Sequence, residues 1–384
     1  MRNKRIAIVV LLGLFGLAVS VSAVAQSANQ GSNGGPIGPA GVVVHTALGG
    51  FILGYDIDQT GTEGILSEAF VLNDGNANVA VETFDQRTGK IIKILGQQSD
   101  SKNDFVTLGI FGNHVALTEF EHVTNLFVDK RLYGVSNPLN SNRITGKWTP
   151  PLPKADNIIT GMAVSQGFPT TAVMAMNNTG NDFSSYVFSS NVAANTFGAV
   201  IRVTDPVFDW DNSPVMAMDT ATNQAVLGSS AGCFGCTTAI GTVDLTTGKQ
   251  TEFEGLGLGF INGIAVDSAT GIACTTTEDD FSVEFYDLAN QTGIIVVLPG
   301  ANSQAQSGQA VAVDPIHKLF FVGQEFSSTA ARGSSIQVFD EQGNFVESLN
   351  GFSLPASPAF MALHPSRRAG YVYGSESTLQ SFTY

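Results

Sequence analysis

The sequence predicts an all-β fold: a seven-bladed β-propeller of four-stranded antiparallel blades, with the last blade completed by a strand from the N-terminal side. Three observations predict it. A degenerate repeat runs through the chain with a period of about 50 residues, the mark of a repeat architecture. The last repeat holds three strands where the others hold four, and an unassigned apolar strand precedes the first repeat. The composition is low in charge, 13% Asp, Glu, Lys and Arg, and holds 42 glycines, which suits short strands joined by tight turns.

The repeat is clearest in the C-terminal half. Units open on Pro214-Val-Met-Ala-Met-Asp219, Asn262-Gly-Ile-Ala-Val-Asp267, Gln309-Ala-Val-Ala-Val-Asp314 and Phe360-Met-Ala-Leu-His364. Each is a short apolar strand ending in Asp, or in His in the last case, before a turn. A second strand follows, as in Leu319 to Glu325. A third ends in Asp again: Ile240 to Asp244, Val283 to Asp287, Ile336 to Asp340. A turn such as Thr246-Thr-Gly-Lys249 leads to a fourth, such as Ile294 to Leu298. An Asp in this place accepts hydrogen bonds from N–H groups about two residues on and so fixes the hairpin. His364 is expected to do the same work.

Earlier units fit more loosely, with openings at Gly54 to Asp58 and Gly161 to Val164, and the stretch from Phe105 to Leu152 is the least regular. Anchors at 58, about 110, 164, 219, 267, 314 and 364 give seven units spaced 47 to 55 residues apart. Sheets of this kind have two apolar faces, and stacking them radially buries both. The last unit has strands at Ala359 to His364, Gly370 to Gly374 and Thr378 to Tyr384. Val42 to Ala47 is free to supply its fourth. A β-sandwich array is the competing architecture and needs no such completion.

Residues 1–25 read as a signal peptide. Arg2, Lys4 and Arg5 precede the apolar run Ile6 to Leu17, and Ala23-Val24-Ala25 places cleavage before Gln26. An uncleaved membrane anchor is the competing reading, disfavoured by Gly13, Gly16 and the Ala-Val-Ala end. Residues 26–41 read as a flexible Gly/Ser/Asn linker, and 42–384 as a single propeller domain. The expected address is secreted or periplasmic, with no integral membrane domain after cleavage.

The formal charge is −15, and losing the signal peptide removes three basic residues and no acidic one, leaving −18. Such a surface excludes nucleic acid and anionic membrane as partners, because both require clustered Lys and Arg. The partner expected is a protein or small-molecule ligand, bound by a monomer.

Leu319-Phe-Phe-Val-Gly-Gln-Glu-Phe with Ser335-Ile-Gln-Val-Phe-Asp340, and Gly370-Tyr-Val-Tyr-Gly-Ser-Glu-Ser with Leu379-Gln-Ser-Phe, resemble the YVTN/NHL/lactonase-like propeller repeats. The resemblance implies the fold. It leaves function open among lactonases, lyases, surface-layer proteins and binding scaffolds.

Aligning the ends of the second strands brings Glu68, Glu119, Glu278, Glu325 and Glu376 to similar places, with Asn177 and Ser230 in two other units. In a propeller these places approach one rim of the central channel. A ring of carboxylates there could take Ca²⁺, another divalent cation or a cationic ligand, and a metal held there could polarise a carbonyl. Solvated strand ends in an acidic protein are the plain alternative. Asp56-Ile-Asp58-Gln-Thr60-Gly61 resembles the start of a Ca²⁺ loop but has Ser67 where a bidentate Glu belongs, so a metal-free hairpin is favoured.

Asp205, Asp209 and Asp211 around Trp210 read as a surface loop. Gly228-Ser-Ser-Ala-Gly232 matches a nucleophile elbow in spacing only, since no helical pattern follows. Cys233 and Cys236 read as a local disulfide in an oxidising compartment, and Cys274 as a small buried hydrophobe. The five histidines do not cluster. With no complete catalytic set, the sequence points to a binding or scaffold propeller that uses one rim. The alternative is a metal-assisted, lactonase-like hydrolase using the glutamates.

Overall fold

Strands this short bury their backbone polar groups only by pairing, and the described strands all pair antiparallel. The computed structural model describes residues 38–384 apart from 60, 72–76, 99–102, 112–113, 124–125, 128–130, 137–145, 149–156, 164–169, 178–184, 192–195, 204–214, 231–236, 259–260, 278–281, 300–304, 327–333, 353–360 and 376. They belong to the compact unit Pro36–Tyr384.

The 51–98 sheet runs Phe51–Ile57, Glu63–Val71, Ala77–Asp85 and Ile91–Gln98, each strand beside the next. The same up-and-down order recurs in Val215–Asp219 to Gln250–Leu258, in Ile261–Asp267 to Thr292–Val297, and in Ala305–Asp314 to Phe345–Phe352. Two sheets carry a fifth strand. Asn103–Phe111, His114–Val123, Arg131–Ser136 and Gly146–Trp148 are joined by Leu126–Phe127, which accounts for the irregularity of this stretch in the sequence. Asn157–Ala163, Thr170–Asn177, Ser185–Asn191 and Thr196–Phe197 are joined by Ile201–Val203. The remaining sheet holds Met361–His364, Ala369–Ser375 and Thr378–Thr383, with Gly38–His45 as its outer strand.

That outer strand begins at Gly38, ahead of Val42 and inside the stretch read as linker, and it stops at His45. The pairing is interrupted between Pro39 and Val43, where the register shifts and Gly41 takes a φ of 78°. A bulge lets a proline-containing segment pair, since Pro is tolerated at a sheet edge where its missing N–H removes no inner ladder bond.

The first strands of the sheets stand side by side. Phe51–Ile57 packs on Asn103–Phe111, that on Asn157–Ala163, then Val215–Asp219, Ile261–Asp267, Ala305–Asp314 and Met361–His364, which packs on Phe51–Ile57. Apolar clusters fill the spaces between neighbouring sheets. Val187 and Val203 meet Leu227 and Val243. Ile240 meets Val266 and Tyr286, and Phe285 meets Phe320 and Phe339. Phe321 and Ile336 meet Val372 and Phe382, and Leu379 and Tyr371 meet Leu66 and Phe84. Each large side chain buried this way contributes about 1.5–3 kcal/mol.

The Asp-ended hairpins are built as the sequence indicates. Asp85 Oδ1 accepts from the N–H of Arg87 at 2.8 Å and of Thr88 at 2.9 Å. Asp244, Asp287, Asp314 and Asp340 accept in the same manner from Thr246, Ala289, Ile316 and Gln342. His364 differs. It makes no side-chain cap bond; Pro365 starts a 3₁₀ turn, Arg368 closes it in the left-handed region, and His364 Nδ1 lies 3.2 Å from Ser366 Oγ. An imidazole lacks the carboxylate's two-oxygen reach, so the ring turns inward and proline rigidity fixes the turn instead.

Third-strand aromatics lie over glycines of the second strand. A Cβ on Gly64 would stand 2.1 Å from Phe84 Cζ, and one on Gly370 2.5 Å from Phe382 Cζ. These pairs are directly cross-strand, so the ring occupies the space a side chain would take. Gly64→Ala is therefore expected to destabilise the protein by about 1–3 kcal/mol through overpacking, read as a lower urea midpoint, with Gly271→Ala as the open-space comparison strained only in φ.

Candidate functional site

The sheets have two unlike ends. At one, hairpins are short and carry the Asp turns. At the other, the second strands finish and the connections vary in length, from two residues after Ser375 to seven after Asn177 and Phe326. Glu68, Glu119, Asn177 and Glu325 all stand near this second end, opposite Ile52, Phe105, Asn157 and Gln306 at the starts of their first strands. Each of the four thus pairs with one of the first three residues of its sheet's first strand. Ser230 closes its strand similarly, while Glu278 and Glu376 lie outside the described residues, just past strands that end at Thr277 and Ser375.

Glu68 is fully buried. Its Oε1 accepts from the N–H of Leu48 at 3.0 Å and its Oε2 from the N–H of Gly50 at 2.8 Å. Beside it stands Glu82, also fully buried, whose Oε2 accepts from the N–H of Ala47 at 3.0 Å. Burial first, then the hydrogen bond and charge of Glu68, push the Glu82 carboxyl up to about 8.

Two more sheets carry a buried polar group at the equivalent place. Glu284 accepts from Thr238 Oγ1 at 3.0 Å across the sheet boundary, from Thr275 Oγ1 at 3.2 Å, and from the Tyr286 hydroxyl. Tyr286 in turn accepts from the N–H of Leu256 at 3.1 Å. Desolvation holds the Glu284 carboxyl above its ordinary range despite these donors. Gln337 donates to Gln324 Oε1 and Ser335 Oγ, both at 2.8 Å, and accepts from Ser348 Oγ. The sequence reading missed this position. Its signal is a recurring pentad, Val81-Glu-Thr-Phe-Asp85, Val283-Glu-Phe-Tyr-Asp287 and Ile336-Gln-Val-Phe-Asp340, with the polar residue three before the turn Asp.

Asp56 Oδ1 accepts from the N–H of Ile57 at 2.8 Å, and the N–H of Asp58 donates to the Glu63 carbonyl at 2.9 Å, closing the first hairpin. Among the described residues no three His, Cys, Asp or Glu side chains are grouped as a metal site. Cys274 is free and buried. The proposed pair Cys233 and Cys236 lies outside the described residues, as do Asp205, Asp209 and Asp211. No described helix is long and apolar enough to cross a membrane.

Comparison with known proteins gives a fold. No protein-family model and no curated protein matches the chain. Solved structures do. That of U3-55K is 12% identical, with 90% of this chain and 100% of that one covered and a TM-score of 0.63. The RRP9 WD40 repeats are 11% identical, covering 91% and 99% at a TM-score of 0.62. A chain of the mitotic checkpoint complex is 9% identical, covering 97% and 99% at 0.61. The likeness to these structures, WD40 repeats among them, shows the β-propeller fold.

The buried carboxyls set a pH dependence. Glu82 and Glu284 lie above their ordinary value of 4.5, so the folded chain binds protons that the unfolded chain has released. Their stabilisation is full below 4.5 and is lost as pH rises through the folded values, about 8 for Glu82. Asp244 and Asp287 are held low, by the Thr247 and Thr246 N–H groups and by Asn290 respectively, and act oppositely below their ordinary value of 3.8. Thermal unfolding should therefore show a midpoint higher at pH 5.5 than at pH 8.5, by on the order of 5 °C. Glu284→Gln should lower the midpoint and flatten the slope.

Proposed function

We propose that this chain is an exported, seven-bladed β-propeller that serves as a binding scaffold, engaging a protein or small-molecule ligand through the end where the second strands finish. Each sheet is read as one blade, and Gly38–His45 as the strand that completes the last blade. Antiparallel pairing of Val44 with Leu379 and the packing of Met361–His364 on Phe51–Ile57 support that reading. So do the bonds from the Tyr55 hydroxyl to the Tyr371 carbonyl at 3.3 Å and from Arg367 Nη2 to the Gly61 carbonyl at 2.6 Å, which join the last sheet to the first. The YVTN/NHL/lactonase-like character of the repeats is part of the proposal and rests on the residues quoted for it.

The observation that carries the binding role is the difference between the two ends. The Asp turns are short and alike. The opposite connections, 72–76, 178–184, 231–236, 278–281 and 327–333 among them, differ in length and sequence. Variable loops on a rigid framework are where recognition is placed. In the sequence Glu119, Glu278, Glu325 and Glu376, with the neutral Asn177, fall at or just past the ends of second strands, and their carboxyls are the groups proposed to suit a cationic ligand or a divalent ion. One solved neighbour belongs to a complex, which fits a propeller as a partner-binding body. Glu68 has both oxygens engaged by backbone and shapes the site from below.

Calorimetric titration of the mature chain with Ca²⁺ and with an oligolysine peptide tests the reading, against the variant Glu119→Gln/Glu325→Gln. The scaffold predicts saturable binding of one probe, weakened at least tenfold in the variant, and no hydrolysis of a lactone panel. Lactone hydrolysis that requires added metal and disappears in the variant would replace it with the hydrolase. Export predicts that protein recovered outside the cytoplasm begins at Gln26.

A further inference from the structure

The segment Thr46–Gly50 joins the outer strand of the last sheet to the first strand of the 51–98 sheet. The Thr46 N–H donates to the Ser377 carbonyl at 3.1 Å, and Thr46 Oγ1 donates to the Gly50 carbonyl at 3.3 Å. Three more of its N–H groups go to two carboxyls. Ala47 reaches Glu82, and Leu48 and Gly50 reach Glu68, at 2.8–3.0 Å. Both glutamates have no solvent exposure. Two like charges cannot be buried side by side without one taking a proton. Glu82 Oε1 is buried without a hydrogen-bond partner while Oε2 takes the Ala47 N–H, an environment that favours a protonated, neutral carboxyl.

We infer that the Glu68–Glu82 pair is a proton-operated latch: with one shared proton it holds Thr46–Gly50 and so keeps Gly38–His45 on the edge of Thr378–Thr383, and on losing that proton it lets the strand go. The inference rests on the reading of Gly38–His45 as the completing strand.

The mechanics favour release at this place. Glu63–Val71 and Ala77–Asp85, which carry the glutamates, are inner strands paired on both sides. Gly38–His45 has one neighbour and a break in its ladder. Ala47, Leu48 and Gly49 are exposed, and Gly49 has a φ of 73°. When two carboxylates repel, the edge gives way before the centre.

The surrounding titratable groups do not offset the charge. Glu68 lies diagonal to Glu82 on the neighbouring strand. Phe51–Ile57 carries Asp56, Asn103–Phe111 carries Asp104, the last sheet presents the Tyr371 and Tyr373 phenols, and His45 on the outer strand is exposed. Lys93 on the fourth strand pairs with Thr83 and acts on Glu63. Among the described strands that flank the pair, Lys93 is the only Lys or Arg, and its interaction goes to Glu63. The 305–352 sheet supplies an internal control, because Gln337 occupies the equivalent of Glu82 and has no proton to lose.

Amide hydrogen exchange on the mature chain at pH 5.5, 7 and 8.5, corrected for the intrinsic rate, tests the latch. Protection of amides 42–50 should fall with rising pH, by up to about tenfold per unit, and level off above about pH 8. Amides of Ser334–Asp340 should keep theirs. Glu82→Gln, which can donate to Glu68 and still accept from Ala47, should hold 42–50 protected at every pH. Protection of wild-type 42–50 that does not change with pH, or that falls equally in Glu82→Gln, overturns the latch. If the variant does not fold, the wild-type profile against Ser334–Asp340 decides alone. Amides 42–45 unprotected at all pH values would instead overturn the completing-strand reading.

Discussion

The pairing of Gly38–His45 with Thr378–Thr383 is the interaction on which the rest of the structure depends. Each apolar cluster among the described residues is shared between neighbouring sheets, so the sheets that build them are not complete alone. The strand contributes Val44, which is fully buried, to the cluster that also holds Tyr371, Leu66 and Phe84. It therefore does more than cover an edge. It fills part of the space between the last sheet and the first, the one boundary whose two sides come from opposite ends of the sequence. Contacts of such long sequence separation are costly to close and gain most from a strand that ties them.

Around that boundary, polar groups add to the apolar packing. Tyr55, Tyr371 and Arg367 cross it with hydrogen bonds to backbone carbonyls. On the far side of the last sheet the Tyr384 hydroxyl reaches Asp314 Oδ2 at 2.7 Å, and Arg368 lies over the Tyr384 ring. Bonds of this kind are directional, so they fix how one sheet sits on the next where clusters of Phe and Val would allow sliding. The buried Glu284 serves the same end through Thr238 of the neighbouring sheet and Glu82 through Ala47, at the cost of desolvation that raises the two carboxyls, while Gln337 acts within its own sheet.

The parts of the fold legible in the sequence were those with local causes. An Asp before a turn acts on atoms two or three residues away, so the Asp244, Asp287 and Asp340 hairpins follow from the residues themselves. The alternation of Ser282 to Asp287 identifies a strand with the same directness. Glu68 was singled out as a strand-end carboxylate, and it stands at that end of its strand. Its two hydrogen bonds to Leu48 and Gly50, however, come from a segment 18 and 20 residues earlier in the chain. The burial of Glu82 and Glu284 was illegible for the same reason, since a lone Glu in a strand reads as solvent-facing until the neighbouring sheet is known to supply a hydroxyl or a second carboxyl. His364 shows the converse. The repeat placed it where an Asp belongs, and the local chemistry of Pro365 gave a different turn. The start of the outer strand at Gly38 was hidden by a Gly- and Pro-rich composition that reads as a linker, because a bulge is a property of the pairing and not of either strand.

Trans-complementation tests the dependence on the outer strand most directly. A chain of residues 51–384 is unfolded by urea with and without a saturating peptide of residues 38–49. The account predicts a low midpoint or a broadened transition for the shortened chain alone, restored toward the mature value by the peptide, and not by a peptide in which Val44 is replaced by Asp. A shortened chain with the midpoint and cooperativity of the mature protein, unaffected by peptide, would contradict it.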